Sequence, residues 1–248
     1  MPFTFSHPAI VLSLVNRRHG IFSATGLIAG SIAPDFETII KFGEPKIYSH
    51  TWAGMFWFDL PLGLCLIFIF HMLVRNQLIL HLPAPLKERF AYAIGFDWLG
   101  YFRKNYFKVI LSLLIGIFSH LLWDAFTHLN LRDPDSMASA IKLGNHRLYI
   151  ILQYVSSVIG LAVVGVYIYQ MPRTSFVPAH KTVYLFWWLT LVFSVAAAVC
   201  GYIMVRNDLA MDMVDAINLI IASVLYAVCF ATLSFLVAHW RRRTGLQR

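Results

Sequence analysis

The sequence predicts an all-α membrane protein: a polytopic helix bundle of about five transmembrane helices, preceded by short N-terminal re-entrant helices. Hydrophobic residues make up 59% of the 248 residues and charged residues 13%, whereas a soluble domain carries about 25% charged residues. The mean hydropathy of +0.68 points the same way. We expect a single membrane domain over residues 1–248, because no composition shift or linker divides the chain.

Five mostly apolar stretches have, or nearly have, the character of a spanning helix, which needs roughly 20 apolar residues. They run near Thr51–Val74, Phe107–His128, Leu148–Gln170, Val183–Val205 and Val214–Trp240. The last three carry few polar side chains and resemble plain anchors. We therefore expect residues 1–130 to hold the chemistry and residues 147–248 to form a helical scaffold.

The segment before Thr51 is apolar in pieces that are too short to cross a bilayer. Ile21–Ala33 contains Gly26 and Gly30, a small-xxx-small pair that lets one helix approach another closely. Pro34 then ends this helix. The segment is predicted to form short helices that enter one side of the bilayer, where irregular backbone must be buried in protein or line a wet cavity.

The formal net charge of +8 does not indicate nucleic-acid binding. The Lys and Arg residues lie between apolar runs and form no basic stripe, so we expect them to set topology and to contact anionic lipid. Membrane lipid is the partner that this pattern predicts. Nothing in the sequence specifies an oligomeric state.

Positive charges also predict the orientation. The basic link Arg75–Tyr106 and the C-terminal Arg241–Arg243 belong in the cytoplasm by the positive-inside rule. Five spans then place the N-terminal region at the outer face of what we expect to be a bacterial inner membrane. The basic residues of Leu129–Arg147 weigh against this orientation, since that loop would also lie outside.

Ionisable residues in apolar surroundings are functional candidates, since they are expensive to keep there. Here they form four short motifs, which are Phe5-Ser6-His7-Pro8, Ala33-Pro34-Asp35-Phe36-Glu37, Tyr48-Ser49-His50-Thr51 and Ser119-His120-Leu121-Leu122-Trp123-Asp124-Ala125-Phe126-Thr127-His128. These are the residue types that bind zinc or move protons.

The fourth motif is the most informative. His120 and Asp124 are four residues apart, so they share one helix face and could bind the same metal ion. His128 lies about 12 Å above His120 along the helix. It is therefore expected to serve a second metal, a substrate phosphate or the helix end.

The predicted topology brings the motifs together. His50 begins the first span and His120 ends the second, and antiparallel spans place both residues at the same membrane face. The chain upstream of His50 carries more residues of the same kind. Metal ligands are predicted at His7, Asp35, His50, His120 and Asp124. Imidazole and carboxylate donors suit zinc, as one or two ions.

Each of these residues also has a structural explanation. Asp35, after Pro34, could cap the helix that follows, and His7 could cap a short helix of its own. Asp124 could form a buried ion pair with His120. His50 could be an interfacial histidine at a helix start. Singly, these alternatives are as acceptable as metal binding, but five metal-type residues on one side favour the metal.

The four motifs, in this order, resemble those of a bacterial family of uncharacterised membrane proteins. That family opens with Met-Pro-Phe-Thr-x-Ser-His and continues with Ala-Pro-Asp-Phe-Glu, Ser-His and Ser-His-Leu-Leu-Trp-Asp-x-Phe-Thr-His. The resemblance covers about the first 160 residues. More loosely, the chain is similar to membrane-bound metal-dependent hydrolases and to zinc-dependent phospholipase C proteins.

This resemblance also implies metal ligation by His7, Asp35, His50, His120 and Asp124. The chain departs from the hydrolases at Glu37, which replaces the second Asp of Pro-Asp-x-Asp, and it lacks their His-Arg before the Thr-His. We expect a zinc-dependent hydrolase acting on a membrane-borne substrate such as a phospholipid or lipid-linked phosphate. Glu37 and His128 are the predicted catalytic residues, with Asp35 as another candidate for moving the proton. A non-catalytic membrane protein, such as a metal-binding transporter or an assembly factor, is the alternative.

Overall fold

A computed structural model gives the architecture of the chain. It describes residues 3–15, 20–41, 47–127, 142–143, 146–174, 181–206 and 213–243. The described chain is all-α apart from one two-residue antiparallel pair, β1 (Lys142–Leu143) with β2 (His146–Arg147). Its helices divide between two compact units, and the second unit holds Thr38–Pro45, Phe68–Phe96 and Pro172–Arg248.

Short helices form the N-terminal segment, as predicted. Helix α1 (Pro8–Val11) lies between the 3₁₀ turns Thr4–Ser6 and Leu12–Leu14. Helix α2 (Ala24–Ile32) is followed by the 3₁₀ turn Ala33–Asp35 and by α3 (Phe36–Ile40). Entry of these helices into the bilayer stays a prediction.

Within the described residues, five helices are long and apolar enough to cross a membrane, which agrees with the predicted number of spans. They are α4 (Met55–His81), α6 (Trp98–Thr127), α7 (Leu148–Tyr169), α8 (Lys181–Arg206) and α9 (Met213–Arg243). A short helix, α5 (Ala84–Phe90), precedes α6. The chain is therefore a multi-pass membrane protein.

Two of the spans extend further than the hydropathy pattern predicts. Helix α4 continues past Arg75 because the guanidinium donates hydrogen bonds to the Phe96 carbonyl, at 2.8 Å, and to the Asn76 side chain, at 3.2 Å. Helix α6 begins nine residues before Phe107. Its backbone departs from helical geometry at Asn105 (φ −129°, ψ 22°), which marks the point where the sequence pattern changes.

Close backbone contact joins α2 to α6, as the Gly26 and Gly30 pair predicts. A Cβ at Gly26 would lie 2.7 Å from the Val109 carbonyl oxygen, and one at Gly30 would overlap the Leu113 carbonyl oxygen. From the α6 side, a Cβ at Gly116 would overlap the Leu27 carbonyl oxygen. Only glycine fits such contacts, so α2 is fixed along the buried face of α6.

The start of α2 is also anchored to α6. Ser23 caps α2, its Oγ accepting a hydrogen bond from Gly26 N at 3.3 Å, and Ser23 N donates to Ser112 Oγ at 2.8 Å. Ser112 Oγ in turn donates to the Lys108 carbonyl at 2.7 Å. The cap and the glycine contacts fix both the position and the register of α2.

Helix α7 packs against the N-terminal segment in the first compact unit. Phe3 N donates to Ser157 Oγ at 2.9 Å, and a Cβ at Gly160 would lie 2.7 Å from Ser6 Cβ. These contacts fix the backbone at Phe3 and at Ser6, and they therefore help to position the next residue, His7.

Candidate metal centre

Four predicted ligands converge where the end of α6 meets the turns that follow α2 and precede α4. Asp35, His50, His120 and Asp124 each offer one donor atom, and these atoms lie within 4.8 Å of one another. Asp35 and His120 are fully buried, the Asp124 side chain is 7% exposed and the His50 side chain 20%. The group could hold a metal ion.

The distances between donors are close to those of a tetrahedral site. The two Nε2 atoms of His50 and His120 are 3.1 Å apart. Asp124 Oδ2 lies 3.1 Å from His50 Nε2 and 3.4 Å from His120 Nε2. Asp35 Oδ1 lies 3.6 Å from each of the two. Bonds of about 2.0–2.1 Å to a tetrahedral zinc would set donor separations of about 3.4 Å.

Hydrogen bonds can account for two of these separations, because His50 Nε2 lies 3.1 Å from Asp124 Oδ2 and from His120 Nε2, but they do not account for the contacts of Asp35. A nitrogen–oxygen hydrogen bond has a length of about 2.7–3.2 Å, and a contact of 3.6 Å is too long to be one. Asp35 Oδ1 is 3.6 Å from both histidines, so it is not hydrogen-bonded to either imidazole. It is nevertheless positioned to share an ion with both of them.

His120 is held in the form that binds metal through Nε2. Its Nδ1 lies 2.7 Å from the Ser31 carbonyl oxygen, which can only accept, so Nδ1 carries the proton. In the neutral ring, Nε2 then presents a lone pair to the cluster. Ser31 is in α2, and its register on α6 depends on the glycine contacts. Sequence patterns missed Ser31 because its backbone supplies the contact.

His50 is presented by an unusual backbone. Its φ is 61°, in the left-handed region that few non-glycine residues adopt. Ser49 Oγ lies 3.0 Å from His50 Nδ1 and can accept a hydrogen bond from Nδ1–H, which leaves the Nε2 lone pair for the cluster. Such conformations persist where the surrounding structure fixes them, often at functional sites.

Glu37 fixes that backbone. Its carboxylate is buried, and Oε1 accepts a hydrogen bond from Ile47 N at 2.9 Å. Oε2 accepts from Tyr48 N at 3.1 Å and from Ser49 N at 2.7 Å. Three consecutive N–H groups therefore surround one anion immediately before His50. The prediction that Glu37 moves a proton stays untested, and these bonds favour a role in positioning His50.

His7 lies beside the four-residue group. Its ring stacks on that of His120, with centroids 3.9 Å apart, and its Nε2 is 3.6 Å from Asp124 Oδ1. Asp124 thus directs one oxygen to the cluster and the other to His7. His128 lies outside the described residues. Thr127 donates to the Trp123 carbonyl at 3.1 Å, a backbone contact of its own helix.

Comparison with known proteins gives a family. The family model described as Domain of unknown function (DUF4184) matches residues 1–238. No curated protein and no solved structure matches the chain.

Proposed function

The chain belongs to this family of unknown function, and we propose that it is a zinc-dependent hydrolase acting on a membrane-borne substrate. The observation that carries the proposal is the set of five donor separations between 3.1 and 3.6 Å, which matches a tetrahedral ion. The looser resemblance to membrane-bound hydrolases and zinc-dependent phospholipase C proteins favours the same activity.

The donor set favours zinc among the common metals. Two imidazole nitrogens with two carboxylate oxygens suit zinc, whereas magnesium and calcium prefer oxygen ligands alone. Asp35, His50, His120 and Asp124 would hold the ion. When bound, it would supply Lewis-acid activation of water and of a phosphoryl or acyl oxygen.

The protein's own residues would orient the site and accept a proton. The Ser31 carbonyl and Ser49 Oγ orient the two imidazoles. Asp124 Oδ1, next to His7 Nε2, is the atom placed to accept a proton, which it would share with the His7 imidazole. His50, the ligand with the most exposed side chain, marks the side from which substrate approaches.

A non-catalytic metal site is the second candidate. Four protein donors around one ion leave no open position, which is typical of structural zinc sites. The chain would then be a metal-binding transporter or an assembly factor whose cluster ties the short N-terminal helices to α6. Under this alternative, the protein binds zinc fully and hydrolyses nothing.

We place the site at the outer face of a bacterial inner membrane. The cluster lies just before the first residue of α4 and near the last residue of α6, so one membrane face holds both. The C-terminal basic residues would lie on the opposite, cytoplasmic face after five crossings. Reaction of single introduced cysteines with an impermeant reagent checks this orientation.

Hydrolysis assays test the proposal directly. Zinc-loaded protein in nanodiscs would be incubated with lipid phosphomonoesters, phosphodiesters and carboxylic esters. His7→Gln should keep its zinc and lose on the order of 100-fold or more in rate, since the proton acceptor loses its partner. Asp97→Asn, an exposed carboxylate at the far end of α6, is the matched control. Full zinc occupancy with no hydrolysis of any class would overturn the proposal in favour of the structural site.

A further inference from the structure

An apolar cavity adjoins the metal centre in the first compact unit. Its volume is about 320 Å³, at the lower end of the range of about 300–1,000 Å³ for ligand pockets. Segments of α1, α6 and α7 form its walls. The residues of the wall include His7, Ile10, Trp123, Val155, Ile159 and Gly160.

His7 is common to the cavity and the centre. His7 is among the residues that line the cavity. Its side chain is fully buried, its ring stacks on His120 at 3.9 Å, and its Nε2 lies 3.6 Å from Asp124 Oδ1. Only the His7 side chain would therefore lie between a molecule in the cavity and the proposed ion. The rest of the wall is almost wholly apolar, so the occupant must be apolar along this part of its length.

Several apolar residues of the cavity wall are exposed on the surface of the first compact unit. Of the wall residues, Ile10 is 40% exposed, Val155 49% and Ile159 57%. Val155 and Ile159 belong to α7, a helix long and apolar enough to span the bilayer, so its exposed side chains face hydrocarbon. A second cavity of about 390 Å³ shares Ile10 and Trp123 with the first and is also largely apolar.

We propose that this cavity holds a hydrocarbon chain of the lipid substrate while the polar group of that lipid lies at the metal centre. The inference rests on the proposed function and specifies its substrate class: an amphiphile with a long chain next to its hydrolysable phosphate or ester. An apolar wall with exposed apolar residues fits such a chain, and the buried His and Asp donors fit its polar end. Water-soluble compounds with the same polar group lack the part that the cavity binds.

Matched tryptophan substitutions on α7 test the cavity. Val155→Trp fills it from the wall, whereas Val158→Trp adds the same bulk at a lipid-facing residue that is 69% exposed and outside the wall. Ser156→Leu is a second wall variant, milder if Val155→Trp folds poorly. All three should keep the zinc content of the wild type.

The measurement is photo-crosslinking in nanodiscs with a phospholipid that carries a diazirine in its chain. Labelled peptides containing Ile10 or Trp123 are expected for the wild type and for Val158→Trp. Their yield should fall several-fold for Val155→Trp or Ser156→Leu. Equal labelling in all variants, or no labelling of these peptides in the wild type, would overturn the inference.

Activity separates this inference from the proposed function. Hydrolysis of long-chain lipids should fall in Val155→Trp, while hydrolysis of a short-chain, water-soluble analogue stays unchanged. If Val155→Trp hydrolyses long-chain lipids normally, the cavity assignment is wrong and the hydrolase stands. If labelling depends on Val155 but no substrate is hydrolysed, the cavity assignment stands and the proposed function is wrong.

Discussion

A single buried carboxylate shows how this site is organised at the scale of residues. Glu37 accepts hydrogen bonds from three consecutive backbone N–H groups, and the next residue along the chain is His50, with its left-handed backbone. A carboxylate with both oxygens engaged in this way is better suited to fix a loop than to exchange protons. Any effect of Glu37 on metal binding would therefore be indirect, through the position of His50.

Glu37→Gln should weaken metal binding without removing any metal ligand. The amide that replaces one oxygen donates rather than accepts, so at least one of the three N–H bonds is lost and His50 is held less firmly. We expect a loss of about 10–100-fold in zinc affinity, as for other residues that orient ligands. Titration against a competing chelator measures it.

Asp97→Asn is the matched control for Glu37→Gln. Asp97 also accepts a backbone hydrogen bond, from Gly100 N at 3.0 Å, but it is exposed. The rise of an α-helix places it about 35 Å from His120 along α6. Equal losses of affinity in the two variants would show that the Glu37 contacts do not position His50.

At the scale of elements, the packing of α2 on α6 builds the site. The glycine contacts set the register that brings the Ser31 carbonyl to His120 Nδ1 and Asp35 to the cluster. The site needs residues from both elements, because Asp35 follows α2 whereas His120 and Asp124 belong to α6. The cluster of candidate metal ligands thus depends on how closely these two helices approach each other.

Gly30→Leu should separate α2 from α6 and remove the site. The added side chain would overlap the Leu113 backbone, and overpacking of this kind costs about 1–3 kcal/mol or more. We expect a lower unfolding temperature together with loss of bound zinc. Gly165→Leu, at a glycine of α7 with open space around it, should change neither. Normal zinc content in Gly30→Leu would refute the role of this contact.

The placement of most of the candidate ligands could be predicted from the sequence. The spacing of His120 and Asp124 fixes a shared helix face, and helix polarity places His50 at the same level. The Glu37 contacts could not be predicted, because they depend on the backbone of Ile47–Ser49 and on the left-handed φ of His50. Gly160 had no signal either, since a glycine in an apolar helix does not indicate which neighbour it contacts.

At the scale of the whole molecule, the site residues belong to one compact unit. His7, Asp35, His50, His120 and Asp124 all lie in the unit formed by Met1–Glu37, Lys46–Ile67 and Asp97–Met171. Helices α8 and α9 belong to the other unit. A ligand that binds at the cluster should therefore stabilise the two units unequally.

Removing the metal should show this asymmetry. With zinc at about 100 times its dissociation constant, binding contributes about 2.7 kcal/mol to the stability of the folded state. Chelation should therefore increase amide hydrogen exchange in α2 and in the second half of α6, and leave α8 unchanged. Zinc should restore protection in the wild type but not in His120→Ala. A uniform change across both units would contradict a localised site.

X-ray absorption at the zinc edge, on protein purified without chelators, would identify the bound ion and its donor atoms. We predict about one zinc per chain, with two imidazole nitrogens and two carboxylate oxygens at about 2.0–2.2 Å. His120→Ala and Asp124→Asn, purified alongside, should lose this signal. A wild-type protein with less than about half an equivalent of transition metal, or a metal bound by other donors, would contradict the account.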